Sequence, residues 1–175
     1  MSLGKGLGER TDMKAFIPIA ASIVLTLAPA AYAQVSCSEI NRINTEGLDD
    51  FEDITGDKVD DDLYRATYKL SGADECNLDY EWDSIYSCSY QFSSYASASD
   101  ARNSMAAIVG SCLPGWTSSS VTPESTATDG WRTLVGTLYA GSGTYEDMEW
   151  ATVLEEHTDT NGTHYHVWVE LAYYW

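Results

Sequence analysis

The C-terminal segment WATVLEEHTDTNGTHYHVWVELAYYW, residues 150 to 175, gathers all three histidines of the chain, His157, His164 and His166, around Asp159. Imidazole nitrogens and a carboxylate are a donor set suited to Zn²⁺ or Cu²⁺, so this stretch is the first place to look for chemistry. Whether the four groups meet depends on the turn. Read as a two-residue type I′ turn, Asn161-Gly162 sets Thr160 opposite Thr163, Asp159 opposite His164 and His157 opposite His166. All four donors then share one strand face. The other face carries Trp150, Thr152 and Leu154 against Val167, Val169, Leu171 and Tyr173, a set that belongs in a core. Read instead as a type I turn with a glycine bulge, Asp159-x-x-Gly162 puts His157 opposite Tyr165 and away from the other two histidines. The first register is preferred because it collects the apolar residues on one side. On the histidine face it also places Trp168 beside His166 and Glu170, and an exposed ring flanked by carboxylates suits a protein interface or the capture of a cation.

Other acidic groups offer less. The run DKVDDD, residues 57 to 62, suits at most weak Ca²⁺ binding, because it lacks the glycine and the terminal glutamate of an EF-hand loop, and a solvated acidic turn accounts for it. Glu155 and Glu156 are neighbours on a strand and point to opposite faces, so their adjacency makes no glycosidase-like pair. No GxSxG, HExxH, Walker or Rossmann pattern occurs, and nothing marks one serine as a nucleophile.

The elements that must position these groups follow from periodicity. Ser36-x-x-Glu39 is a capping-box pattern, and Ile40, Ile43, Leu48, Phe51 and Ile54 recur at roughly helical spacing up to Gly56, which gives a first helix over residues 37 to 55. Gly47 weakens its middle by about 1 kcal/mol and leaves room for two shorter helices. From residue 63 the period changes to two. Residues 63 to 70, 76 to 83 and 86 to 92 alternate as strands, with Cys76, Leu78, Tyr80 and Trp82 on one face and Tyr86, Cys88, Tyr90 and Phe92 matching them. Ser97-x-x-Asp100 opens a second helix that ends at Pro114-Gly115, and a Ser/Thr-rich loop with a ragged edge strand follows over residues 117 to 129. Residues 130 to 139, 146 to 157 and 163 to 173 are three further strands. The order implies an α+β fold: an antiparallel sheet of about five to six strands with two helices packed on one face.

Four cysteines, an even count, argue for two disulfides and leave no thiol for catalysis. Cys37 starts the first helix and Cys112 ends the second, so antiparallel helices on a common face bring them together. Cys76 and Cys88 share the core parity of adjacent strands and meet only if the hairpin turns through a wide loop near Trp82, because a tight turn at Asp83-Ser84 offsets them beyond the ~7 Å bridging limit. The expected pairs are Cys37 with Cys112 and Cys76 with Cys88.

Disulfides fit the N-terminus, where residues 13 to 33, MKAFIPIAASIVLTLAPAAYA, read as a secretory signal peptide with Lys14, an apolar stretch from Ala15 to Leu27 and a small-x-small cleavage site at Ala31-Tyr32-Ala33. Residues 1 to 33 are thus an N-terminal extension plus signal, residues 34 to 175 form a single domain, and the destination is periplasmic or secreted. After cleavage the chain keeps six basic residues against 25 acidic ones, a formal charge of −19. Such a surface repels phosphate backbones and anionic headgroups, which argues against nucleic acid and membrane surfaces as partners and favours a basic protein or cationic ligand.

The layout is similar to that of secreted inhibitor domains, including the β-lactamase-inhibitory type, whose GA-x-x-C motif is echoed by Gly72 to Cys76. The likeness covers a handful of residues and implies layout only. The residues together give, as a leading expectation, a non-enzymatic exported binding module, inhibitor or immunity-like toward a basic protein. A metal-binding protein that uses His157, Asp159, His164 and His166 is the alternative, and a hydrolase with an unrecognised site is the third reading.

Overall fold

Ser36 caps the first helix as its spacing predicts. Its hydroxyl accepts the Glu39 N–H at 3.3 Å, while the Glu39 carboxylate accepts the Ser36 N–H at 2.7 Å, so two otherwise unpaired amides are satisfied reciprocally. In a computed structural model that describes residues 35–174, this helix, α1 (Cys37–Gly47), is shorter than the expected 37 to 55. It stops because Asp50 and Phe51 both take left-handed backbone conformations, at φ 53° and 58°, and this turn drops the wholly buried Phe51 into the core. Gly47 lies where α1 meets the sheet. A Cβ there would come within 2.9 Å of the Met148 Cε, so the approach of helix to sheet is close and a larger residue would make the Met148 side chain shift. The expected signal peptide and its cleavage site lie outside the described residues.

A 3₁₀ turn, Glu52–Ile54, leads into β1 (Thr55–Lys58), followed by β2 (Leu63–Ala66), β3 (Glu75–Asp79) and β4 (Ser84–Phe92). The second helix, α2 (Tyr95–Cys112), begins two residues before the expected Ser97. Ser94 is its cap and accepts the Ser97 N–H at 3.2 Å. The chain closes with β5 (Thr117–Val121), β6 (Trp131–Ala140), β7 (Met148–Asp159) and β8 (Gly162–Tyr173).

These strands form one antiparallel sheet of order β1-β2-β3-β4-β8-β7-β6-β5. It has eight strands rather than five to six. Both edges escape the count: TGDK in β1 has no counterpart in the sequence reading, and the largely exposed TSSSV in β5 is the ragged edge strand expected after residue 117. Both are held by backbone pairing and bury too little to show an apolar alternation. The α+β class, the antiparallel sheet and the two helices otherwise stand as the sequence implies.

Both helices pack on the face that carries Leu78, Tyr86, Tyr90, Trp150, Leu154, Val167, Val169 and Leu171. Two polar groups inside this layer find partners, while the buried Thr152 hydroxyl has none among the described residues. The Trp150 indole donates to the Asn44 side chain of α1 at 2.6 Å, and the Tyr139 hydroxyl donates to the Ala106 carbonyl of α2 at 2.6 Å. Both disulfides lie on this side. Cys37–Cys112 joins the start of α1 to the end of α2, and Cys76–Cys88 joins directly paired residues of β3 and β4. The β3–β4 hairpin turns widely between Asp79 and Ile85, which lets the two cysteines face each other with Cα atoms 4.1 Å apart. Trp82, expected in the core, rides the tip of that turn at 82% exposure, because the alternation that implied burial continues past the end of the strand. Two disulfides point to an oxidising compartment. No helix among the described residues is long and apolar enough to cross a membrane.

Candidate functional site

The β7–β8 hairpin that carries the histidines turns one residue earlier than the preferred Asn161-Gly162 register, at the Asp159-x-x-Gly162 position of the other reading but without its bulge, since His157 faces His164 rather than Tyr165. Asp159 pairs with Gly162, Thr158 with Thr163, His157 with His164 and Glu155 with His166, so the turn is Thr160-Asn161. Asp159 fixes it. Its Oδ1 accepts the backbone N–H groups of Asn161 at 2.7 Å and Gly162 at 3.1 Å, and the first of these bonds is the main cause that holds the carboxyl below its usual carboxylate range. Moving the turn back by one residue shifts each cross-strand partner by two. Because side chains alternate with period two, every residue keeps its face.

The histidine face is the sheet face opposite the helices, and its side chains fall into rows that cross the strands. Asn77, Ser87, Glu170 and Ala151 form one row over β3, β4, β8 and β7. Glu75, Ser89, Trp168, Val153 and Gly136 form the next, extended to Val121 on β5. Gln91, His166, Glu155 and Thr133 form a third, and His164, His157 and Trp131 a fourth.

Trp131 reorganises the last of these rows. Its indole stacks on the His157 ring with centroids 4.2 Å apart and planes 14° apart, and it lies 4.8 Å from His166 and 6.3 Å from Trp168. His166 in turn stacks on Trp168 at 6.1 Å. The histidines are therefore members of an aromatic cluster. Burial is the leading cause that pushes the His166 pKa below its ordinary value, helped by the neighbouring His157 and His164. His164 reaches Asp159 at 4.0 Å, the edge of an ion pair. Among the described residues, no three His, Cys, Asp or Glu side chains converge to hold a metal ion. Asp57 to Asp62 turns β1 into β2, where Lys58 lies 3.9 Å from Asp61 and the Asp60 side chain accepts the Asp61 N–H at 2.8 Å.

Across the first three rows, over β7 and β8, the face is hollowed into a pocket of about 240 Å³ lined by Val153, Glu155, Trp168 and Glu170. Glu155 accepts the Thr133 hydroxyl at 3.2 Å. The Glu170 carboxyl accepts only the Ser87 hydroxyl, at 2.9 Å, among the described residues. Desolvation by the surrounding strands raises its pKa, and the like charge of Glu155 adds to the rise. Two neighbouring polar atoms, the Trp168 indole Nε1 and the Asn77 Oδ1, are buried with no hydrogen-bond partner.

Trp168 and Glu170, singled out from sequence, thus share a pocket, while His157 and His166 pack in the adjoining ring cluster and Asp159 and His164 sit at the hairpin tip. Sequence reasoning missed Trp131, Glu155 and Val153. Trp131 lies in a different hairpin, and only its alignment opposite His157 reveals it. Glu155 was set aside for its neighbour Glu156, yet the partner that matters is Glu170, across the strand and two rows away. No protein-family model, no curated protein and no solved structure matches this chain.

Proposed function

We propose that this protein is an exported, non-enzymatic binding module that uses the open face of its sheet to hold a basic protein, in the manner of an inhibitor or immunity protein. The observation that carries the reading is the juxtaposition of indole rings and carboxylates on that face. Trp131 and Trp168 stand beside Glu155 and Glu170, in a chain whose formal charge is −18. Aromatic rings supply contact area at low entropic cost, and carboxylates beside them select a cationic partner and speed its encounter. The stapled helix layer behind the sheet keeps the face rigid, which lowers the ordering cost of binding.

The test is affinity capture from the exported fraction of the source organism, with three forms of the protein compared. The wild type should retain one basic protein in stoichiometric amount. Trp168→Ala combined with Glu155→Ala should lose it, and Asp57→Asn combined with Asp61→Asn, a larger change in charge at the far edge of the sheet, should keep it. Equal retention by both variants would reduce the interaction to unspecific attraction and end the reading.

A further inference from the structure

Buried charges in proteins are paired, and an unpaired one is driven toward its neutral form. Glu170 is such an unpaired group. Its carboxyl is sunk between β4, β8 and β7, accepts one neutral hydroxyl from Ser87, and has a second carboxylate, Glu155, as its charged neighbour. The six described basic side chains are engaged elsewhere: Arg42 with Glu46, Lys58 with Asp61, Arg65 with Glu75, Arg132 with Glu156, Lys69 with the Asp74 carbonyl, and Arg102 with acceptors on the helix side. The cation that Glu170 lacks is not supplied by these groups, and the pocket at Glu170 opens outward.

We propose that the pocket lined by Val153, Glu155, Trp168 and Glu170 is an anchor site for one primary ammonium group, the end of a lysine side chain presented by the basic partner, with Glu170 as its counter-ion. The inference rests on the reading of the open face as the binding surface and specifies what that surface grips. Volume and shape suit it. About 240 Å³ accommodates an alkylammonium end but not a folded peptide, Val153 packs against the methylene stem, and the Trp168 indole offers a face to the cation. Monodentate chemistry separates lysine from arginine. With one Glu170 oxygen already shared with Ser87, a two-point contact from the planar guanidinium fork competes with that bond, whereas a compact ammonium needs only the other oxygen.

The experiment is a titration of the protein with n-butylammonium chloride at fixed ionic strength, followed through the indole N–H signals in a ¹H–¹⁵N correlation spectrum, with the Trp168 signal assigned from Trp168→Phe. The Trp168 signal should move saturably with half-saturation on the order of millimolar. Glu170→Gln, which keeps shape and removes charge, should weaken binding about tenfold, and Glu155→Gln by less; methylguanidinium should bind more weakly than butylammonium. If Glu170→Gln fails to fold, Glu155→Gln and the loss of wild-type binding on acidification carry the test. No saturable shift, unchanged affinity in Glu170→Gln, or tighter binding of methylguanidinium would each overturn the assignment. Retention of the basic partner by Glu170→Gln alongside any of these results would leave the broader binding function standing and remove only the lysine anchor.

Discussion

Arg102 and Glu170 are desolvated charges on opposite faces of the same sheet, and the protein treats them differently. Arg102, on α2, donates to the Thr152 carbonyl at 3.4 Å, to the Asn103 side chain at 3.2 Å and to the Thr137 hydroxyl. Glu170, on β8, has one hydroxyl and a like-charged neighbour. Burial lowers the Arg102 pKa and raises that of Glu170, as desolvation must for a cation and an anion. A guanidinium with three acceptors is a finished internal contact. A carboxylate with one weak partner and a hollow beside it is an unfinished one, and the same contrast runs through each face. The helix side holds both disulfides, the fully buried side chains and one orphaned hydroxyl, that of Thr152, whereas the open side holds the ring cluster, the pocket and two orphaned polar atoms.

If stability resides on the helix side, the largest losses should follow from cutting its staples. The Cys37–Cys112 bridge spans 75 residues of sequence and Cys76–Cys88 spans 12. From loop-closure entropy the first should contribute about 4 kcal/mol and the second about 3 kcal/mol. Paired serine substitutions followed by urea denaturation measure both. A larger loss from opening the short bridge would mean that strain or residual structure, not loop length, sets the ranking.

A finer cut compares neighbours on β7. Leu154 is wholly buried against the helices, while Val153 faces outward and lines the pocket. Leu154→Ala should cost about 3 kcal/mol, and Val153→Ala roughly 1 kcal/mol or less. Equal costs by chemical denaturation would show the open face to be a second core. In that event the pocket would be a packing defect rather than a site.

The two faces also differed in how far the sequence disclosed them. Helix-side residues announce themselves by period: Ile40 and Ile43 on α1, and Leu78, Tyr86 and Leu154 on their strands, all alternate or recur as a buried face requires, and all are buried. The edge strands β1 and β5 have no such pattern because pairing of the backbone alone forms them. Register was the harder problem. Asp159 decides it through side-chain bonds to Asn161 and Gly162, and the apolar set reads equally well in registers two residues apart. The open face was legible only within one hairpin. Its pocket depends on Glu155 lying near Glu170, and its ring cluster depends on Trp131, which sequence separation hides until β6 is aligned beside β7.

The smallest effects should appear as opposing pH slopes on the open face. Glu170 has a folded pKa raised above its unfolded value, so the native state takes up its proton first as pH falls. Its charge works against folding at neutral pH, and that penalty shrinks as the pH falls through the folded pKa and is gone below the unfolded one. His166 runs the other way. It is faced by Gln91 on β4, by Glu155 and His157 on β7, by Trp131 on β6 and by its strand neighbours His164 and Trp168, with Asp74 the acidic group that favours its charge. Its folded pKa is lowered, so the unfolded chain binds the proton first as pH falls below about 6.5, and the stability present above that value declines toward the folded pKa. Thermal melts of three proteins across this range separate the two terms. Glu170→Gln should melt above the wild type at neutral pH, with the gap closing on acidification, while His166→Gln should flatten the decline that begins near pH 6.5. A Glu170→Gln protein that melts below the wild type at neutral pH would mean that the carboxylate is already stabilised inside the fold. The contrast with Arg102 would then be lost, and with it the reason for the pocket to recruit a cation from outside.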